Sequence, residues 1–513
     1  MNTTQRFLVA AALVSGSACV AQPMAETSTT EQDVKLGVPE SFDFFGTAMV
    51  TGDFNCDGVD DLAVSAIREA PNGGKTTGSV FLYLGIPLLG LTPWMRIDEK
   101  DLLPLSLGDD DQFGAALASA KIDADSCSDL VIGAPGAAVK SGGNHSGVVF
   151  VLYGSTSGPR IDNSVQVIDQ HGLFPGDTDS PDDRFGATLA VSGENPPLLA
   201  IGVPGETIGQ IASGLVDVAE ADLTKSKGQQ FAKFAELEPP TLNTGANFGQ
   251  SIAIADLDFD GHRDIAVGAP DWNTTPGKVF LFAGTGSGYN APITVNEHSS
   301  LGTSIGDGFG FTLAVGAIDA PRELVIGAPG FNGNGRVFVY APFAVNGQLA
   351  GASVDAGVTA GAGGIGQSLK VADVNGDGLA DIVSGVPGHR STSGADIGEI
   401  AIFENNNMSA FASQPLVLLQ QLQWSTQLGS SDIPQTPADN DAMGASLAIG
   451  DFNNDGKIDL VGGMPTRSNQ ALDGTNLTDE SGAIFEFFGG SEFPSATPPF
   501  TSGNGVYIDE GNG

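Results

Sequence analysis

Four short stretches place oxygen-bearing side chains at alternate positions and close with a glycine and a further aspartate. They contain Asp53, Asn55, Asp57, Val59 and Asp61; Asp256, Asp258, Asp260, His262 and Asp264; Asp373, Asn375, Asp377, Leu379 and Asp381; and Asp451, Asn453, Asp455, Lys457 and Asp459. Acids or amides at positions one, three and five of a tight loop converge on one side. Glycine at position six permits the sharp turn, the carbonyl of position seven (Val59, His262, Leu379, Lys457) points inward, and aspartate at nine closes the shell. A hard cation such as Ca2+ takes about six to eight oxygens at ~2.3–2.6 Å. Three or four carboxylates packed together without a cation would repel strongly. The spacing therefore predicts four calcium sites, the plainer alternative being acidic turns with no ion. A fifth stretch keeps Asp123, Asp125 and Asp129 but has Lys121 at position one and Ser126 in place of the glycine. There a lysine ammonium could stand in for the ion, and calcium is not expected.

The elements that position these loops recur along the chain. An apolar residue followed by glycine occurs seven times, at Phe45-Gly46, Phe113-Gly114, Phe185-Gly186, Phe248-Gly249, Phe309-Gly310, Ile365-Gly366 and Met443-Gly444. Each unit has a second landmark, an apolar run ending in Gly-Ala-Pro or a variant, as at Gly133-Ala134-Pro135, Gly202-Val203-Pro204, Gly268-Ala269-Pro270, Gly327-Ala328-Pro329, Gly385-Val386-Pro387 and Gly463-Met464-Pro465; unit one has Ser65-Ala66-Ile67. A third glycine (78, 147, 214, 277, 335, 398, 482) opens another apolar run. Runs rich in β-branched and aromatic residues and bounded by Gly and Pro read as strands. With a weaker apolar segment in each unit, such as 164–168 or 234–237, every unit offers four strands. The acidic loop lies between the first two.

Spacing supplies an internal control. The two glycine landmarks stand 20 residues apart, counted from the Phe-Gly residue, in units two, four, six and seven, but 17 in unit three and 18 in unit five. The two short units lack the acidic series, having Gly193-Glu194-Asn195-Pro196-Pro197 and Asp319-Ala320-Pro321-Arg322. The hairpin shortens where the metal loop is missing. One four-stranded sheet cannot bury both faces alone, whereas seven arranged radially bury one another. The expectation is an all-β, seven-bladed β-propeller over 41–513, with blades near 41–108, 109–182, 183–245, 246–306, 307–362, 363–440 and 441–513. A solenoid is the weaker alternative, because it needs special caps and usually has shorter repeats.

Phe-Gly followed by Gly-Ala-Pro or its variants in seven ordered units, with Asp-x-Asp-x-Asp-Gly-x-x-Asp or its Asn form between them in four, resembles the FG-GAP repeat of integrin α-subunit propellers. The resemblance covers nearly the whole chain after residue 40. It is specific for fold and much less so for function, since one fold hosts many activities. It implies a binding or adhesion module whose protein or glycan ligand docks on the Phe-Gly/Gly-Ala-Pro face, opposite the calcium hairpins. Irregular loops on that face include 68–77, 136–146, 389–397 and 466–480, and acids 109–111, 177–183 and 439–441 precede the Phe-Gly corners; these acids suggest a cationic ligand patch or a bridging cation. The alternatives are a hydrolase, a lyase or a subunit of one, or a structural matrix component. FG-GAP arrays accompany a catalytic domain in some phospholipases. Here the repeats leave no room for one, and no acid/base pair stands out.

Composition narrows the partners. With 61 acidic and 21 basic residues the net charge is -40, which repels nucleic acid and anionic membranes. Arg6 followed by the apolar run from Phe7 to Val14 and small residues near Ala21 reads as a secretory signal over 1–21, followed by a segment over 22–40. Cys19 offers a minor alternative as a lipid anchor, although Gly16 stands where a lipobox prefers Leu. No other segment has ~18 uninterrupted apolar residues, so no membrane span is expected. A secreted or cell-surface location follows, with the periplasm as a variant. Cleavage after Ala21 leaves Cys56 and Cys127, either bridged or as two free thiols. Gly302–Gly306 and Gly361–Gly366 match a nucleophile-elbow and a dinucleotide pattern without the helix either needs. The polar segment 219–234 has helical propensity and reads as an insertion between strands.

Overall fold

A computed structural model describes residues 42–71, 75–102, 108–123, 125–138, 146–175, 180, 182–272, 275–297, 304–316, 322–345, 348–354, 363–390, 397–405, 417–419, 441–467, 469–470, 477–478, 481–489 and 505–508. The signal 1–21, the segment 22–40 and Cys19 lie outside them, as do Asp319 and most of loops 136–146 and 466–480.

Seven four-stranded antiparallel sheets follow one another in chain order. Blade one consists of Phe45–Gly52, Asp61–Ala66, Ser79–Ile86 and Gly90–Asp98, paired in sequence. The last blade ends with Gly505–Ile508 paired to Ala483–Phe487, so its outer strand comes from the C-terminal part of the chain. The first strands of successive blades neighbour one another in a closed ring, the seventh lying against the first. This is a β-propeller.

Seven apolar clusters hold the ring, and each is built from the facing sides of two adjacent blades. The second strand of blade two shows how: Leu130, Ile132 and Ala134 enter the cluster shared with blade one, while Val131 enters the one shared with blade three. Both faces are buried, so these strands read as unbroken apolar runs rather than alternating ones. The cluster between blades seven and one, with Phe45, Phe81, Phe452 and Ile484, closes the circle.

The repeat landmarks are the contacts between blades. The Phe-Gly side chain is buried in every blade and packs edge-on against a third-strand aromatic in four of them, as Phe45 on Phe81 at 5.5 Å, Phe248 on Phe282 at 6.1 Å and Phe309 on Phe338 at 5.3 Å. The third glycine of each blade touches the Phe-Gly backbone of the next. A Cβ on Gly214, whose φ is +88°, would lie 2.1 Å from the Phe248 carbonyl oxygen, and one on Gly482 would meet Phe45 in the same way. Gly214→Ala therefore combines a left-handed backbone cost of about 1–2 kcal/mol with overpacking of roughly 1–3 kcal/mol. Denaturant unfolding should show the midpoint falling accordingly; an unchanged midpoint would refute the contact.

Segment 219–234 is no insertion with helical character. Leu215–Ala221 and Phe231–Leu237 are the outer strands of blade three, paired with a bulge after Val218. Helix propensity is a weak prior that a neighbouring strand with free edge groups overrides.

Candidate metal centre

Each acidic loop turns back one strand into the next at the end of the blade opposite the Phe-Gly corner. In blade one Gly52 pairs with Asp61 beside the loop, and Phe45 pairs with Ala66 at the other end. The loops share one hydrogen-bond scheme. The position-one carboxylate accepts the N–H of positions five and six, as Asp53 from Asp57 (3.0 Å) and Gly58 (3.0 Å), Asp373 from Asp377 (3.0 Å) and Gly378 (2.8 Å), and Asp451 from Asp455 (2.9 Å) and Gly456 (2.9 Å). Asp256 accepts the same pair from Asp260 and Gly261 at 3.2 and 3.3 Å. The position-three oxygen of Asn55, Asp258, Asn375 and Asn453 also accepts the N–H of position five. Position five accepts from position seven, whose N–H belongs to Val59, His262, Leu379 or Lys457.

The position-six glycines have φ near +90°, and a Cβ there would meet nothing within 4 Å. Backbone conformation, not crowding, demands glycine at this point. The sequence reading placed Asp61, Asp264, Asp381 and Asp459 as the residues that close the shell. They are fully buried, and each holds two backbone N–H groups: one from position two (Phe54, Leu257, Val374, Phe452) and one from just after the third strand or at its end (Gly85, Gly284, Asn405, Gly489). They therefore also clamp the loop to its sheet. Burial, opposed by these N–H groups and reinforced by the neighbouring acids, pushes Asp61, Asp381 and Asp459 up to about 7 and Asp264 up to about 6.

Carboxylate oxygens of Asp256, Asp258 and Asp260 lie within 4.8 Å of one another, and so do those of Asp123, Asp125 and Asp129. Among the described residues no basic side chain forms an ion pair with Asp53, Asp57, Asp373, Asp377, Asp451 or Asp455. The acids of loops one, six and seven thus have no basic partner among the described residues, whereas Asp256 lies 3.9 Å from Arg322; in all four loops an all-oxygen donor set suits a hard cation. Blade two differs. Its loop is folded similarly, with Asp125 N–H on Asp123 (3.1 Å), Cys127 N–H on Asp125 (2.9 Å) and Asp129 accepting from Ile122 and Gly154. A lysine does stand in its acids, but it is Lys227, not Lys121, which is exposed.

The hairpins also hold one another, through residues that the spacing argument did not single out. Ser128 N–H donates to the Asp53 carbonyl (2.7 Å), and Asp60 accepts the N–H of Asp451 (2.9 Å) across the ring closure. Arg322 donates to the Asp256 carbonyl (3.0 Å), and Arg263 to the carbonyls of Glu194 (2.7 Å) and Pro196. Cys56, at position four of loop one, is bridged to Cys127, with Cα atoms 4.6 Å apart. At the opposite end several acids are not free for a ligand. Asp111, Asp183 and Asp307 are buried and accept backbone N–H groups from Gly108, Ser180 and Ser304, while Asp441 pairs with buried Arg467 at 2.6 Å.

The FG-GAP repeat family model matches residues 248–282 and 365–403. Phosphatidylinositol-glycan-specific phospholipase D of Bos taurus is 25% identical over 418 residues, 74% of this chain and 46% of that protein. Integrin alpha-PS5 of Drosophila melanogaster is 32% identical over 168 residues (32% of this chain, 15% of that protein), and integrin alpha-3 of Cricetulus griseus is 35% identical over 106 residues (19% and 9%). The chain thus spans less than half the length of these relatives. Repeated landmarks, seven blades in a closed ring and these similarities agree: the chain is an FG-GAP repeat protein with an integrin α-like β-propeller.

Proposed function

We propose that the protein is an exported binding module whose propeller is braced by Ca2+ in the loops of blades one, four, six and seven, and that it presents a protein or glycan ligand site on the Phe-Gly/Gly-Ala-Pro face. The supporting observation is the convergence of four acidic loops on one end of the ring, with no counter-charge on three of them among the described residues. Asp53, Asn55 and Asp57 with the Val59 carbonyl, and their counterparts in the other loops, would hold the ion. Calcium would neutralise the acids and stiffen the hairpins. A rigid scaffold below variable loops is the usual setting for a binding site.

No helix among the described residues is long and apolar enough to cross a membrane. On the proposed binding face, the exposed charged side chains include Arg68, Asp109, Asp110, Asp182 and Arg184, with Arg68 paired to Asp110 at 3.1 Å. The test is binding to glycan arrays and to purified cell-surface proteins. The D109S/D110S variant should lose binding, while N290A, exposed just after the short strand Gly288–Tyr289 at the loop end, should keep it. Loss in N290A alone would overturn the face assignment. Similarity to phosphatidylinositol-glycan-specific phospholipase D favours a second reading, an accessory to a lipid-glycan hydrolase. Faster release of a phosphatidylinositol-glycan-anchored reporter by such a hydrolase when the chain is added, with no release by the chain alone, would support that reading over the first.

A further inference from the structure

We propose that blade two carries its own cation: the Lys227 ammonium, delivered by the outer hairpin of blade three, fills the site that calcium takes in the other acidic loops. The acids of blade two, like those of blade four, bring carboxylate oxygens within 4.8 Å of one another. The Lys227 Nζ forms ion pairs with Asp123 and, at 3.4 Å, with Asp125, and the Asp123 side chain is 1% exposed. The ammonium also lies 5.2 Å from the ring centre of buried Tyr153, a favourable place for a positive charge.

The delivery is built, not incidental. The turn from Asp222 to Gln230 is closed by Asp222 N–H on the Gln230 carbonyl (2.9 Å) and Gln229 N–H on Ser226 (3.1 Å). It is fastened to blade two by Gln166, whose side-chain amide donates to the Phe231 carbonyl (3.1 Å) and accepts the Phe231 N–H (3.0 Å). Gly228 passes so close to blade two that a Cβ would lie 3.2 Å from the Ser164 carbonyl oxygen. The chain just beyond Lys227 is therefore held against blade two. Burial alone would lower the ammonium's proton affinity; the hydrogen bond and charge of Asp123 more than reverse this and keep it protonated. A tethered cation has no dissociation step, so the joint between blades two and three would not respond to calcium.

The expected divalent occupant rests on the reading of the sister loops as calcium sites, and the experiment separates the two. Bound calcium is counted by metal analysis after equilibrium dialysis of wild type, K227M and K227M/D125N. K227M should bind one calcium more than wild type, and K227M/D125N should lose it again. Folded K227M with an unchanged count overturns the proposal. If wild type itself binds none, the calcium reading fails and stability decides: K227M must melt below wild type, and adding D123N/D125N must cancel the difference, or the proposal fails as well. If K227M does not fold, K227M/D123N/D125N must restore folding; failure to do so also overturns it.

Discussion

Thermal unfolding in excess calcium should show a midpoint well above that in chelator. A ligand that binds only the native state stabilises it by RT ln(1 + [L]/Kd), about 2.7 kcal/mol per site at a hundredfold excess. Four independent loops would together contribute about 11 kcal/mol, comparable to the whole stability of many domains. Asp373→Ala removes a side chain that accepts the N–H groups of Asp377 and Gly378 and should abolish about a quarter of the calcium-dependent part. Asp256→Ala should do the same in blade four. Asp222→Ala, an exposed turn acid outside the loops, should leave the calcium response unchanged. Identical midpoints with and without calcium would remove the basis of the proposed metal sites.

Loss of the disulfide should produce the second large effect. Cys56 and Cys127 are 71 residues apart in sequence, and closing a loop of that size restricts the unfolded chain by about 4 kcal/mol. The Cys127→Ser variant should therefore unfold at a clearly lower denaturant concentration than wild type, and a reductant should lower wild type to the same level. Because Cys56 sits inside loop one, with φ +61°, the variant should also weaken calcium at that loop more than at loops six and seven. Thiol titration of the denatured, unreduced protein lacking residues 1–21 provides the direct check. Two reactive thiols per chain would show that the bridge does not form.

Much of this was legible from residue types and spacing. Phe-Gly, Gly-Ala-Pro and the third glycine recur because a closed ring of sheets repeats one contact at every joint. Local requirements, such as a positive φ or an aromatic seat, leave a mark at fixed positions in the chain. The acidic loops were readable for the same reason. A loop of nine residues satisfies its own geometry, as the hydrogen bonds from Asp57 to Asp53 and from Val59 to Asp57 show. The direction of the first two strands then placed the loops at one end and the Phe-Gly corners at the other. The reading of 219–234 as an insertion between strands failed because the edge that pairs Phe231–Leu237 exists only in the assembled sheet.

The amino-acid sequence by itself thus determined the repeat, the strand order, the seven-bladed ring and the positions of the candidate metal ligands. Only the tertiary structure decided which residues meet across blades. Lys227 reaches Asp123, Arg322 reaches the Asp256 carbonyl, Asp60 holds Asp451, and Cys56 meets Cys127. It likewise decided that Asp111, Asp183 and Asp441, which read as ligand-facing acids, are buried supports of their own corners. The physical reason is the same in each case. Pairing between blades depends on the angle and separation of neighbouring sheets, and the burial of a side chain depends on what packs over it. Neither quantity is encoded in the spacing of residues within one repeat.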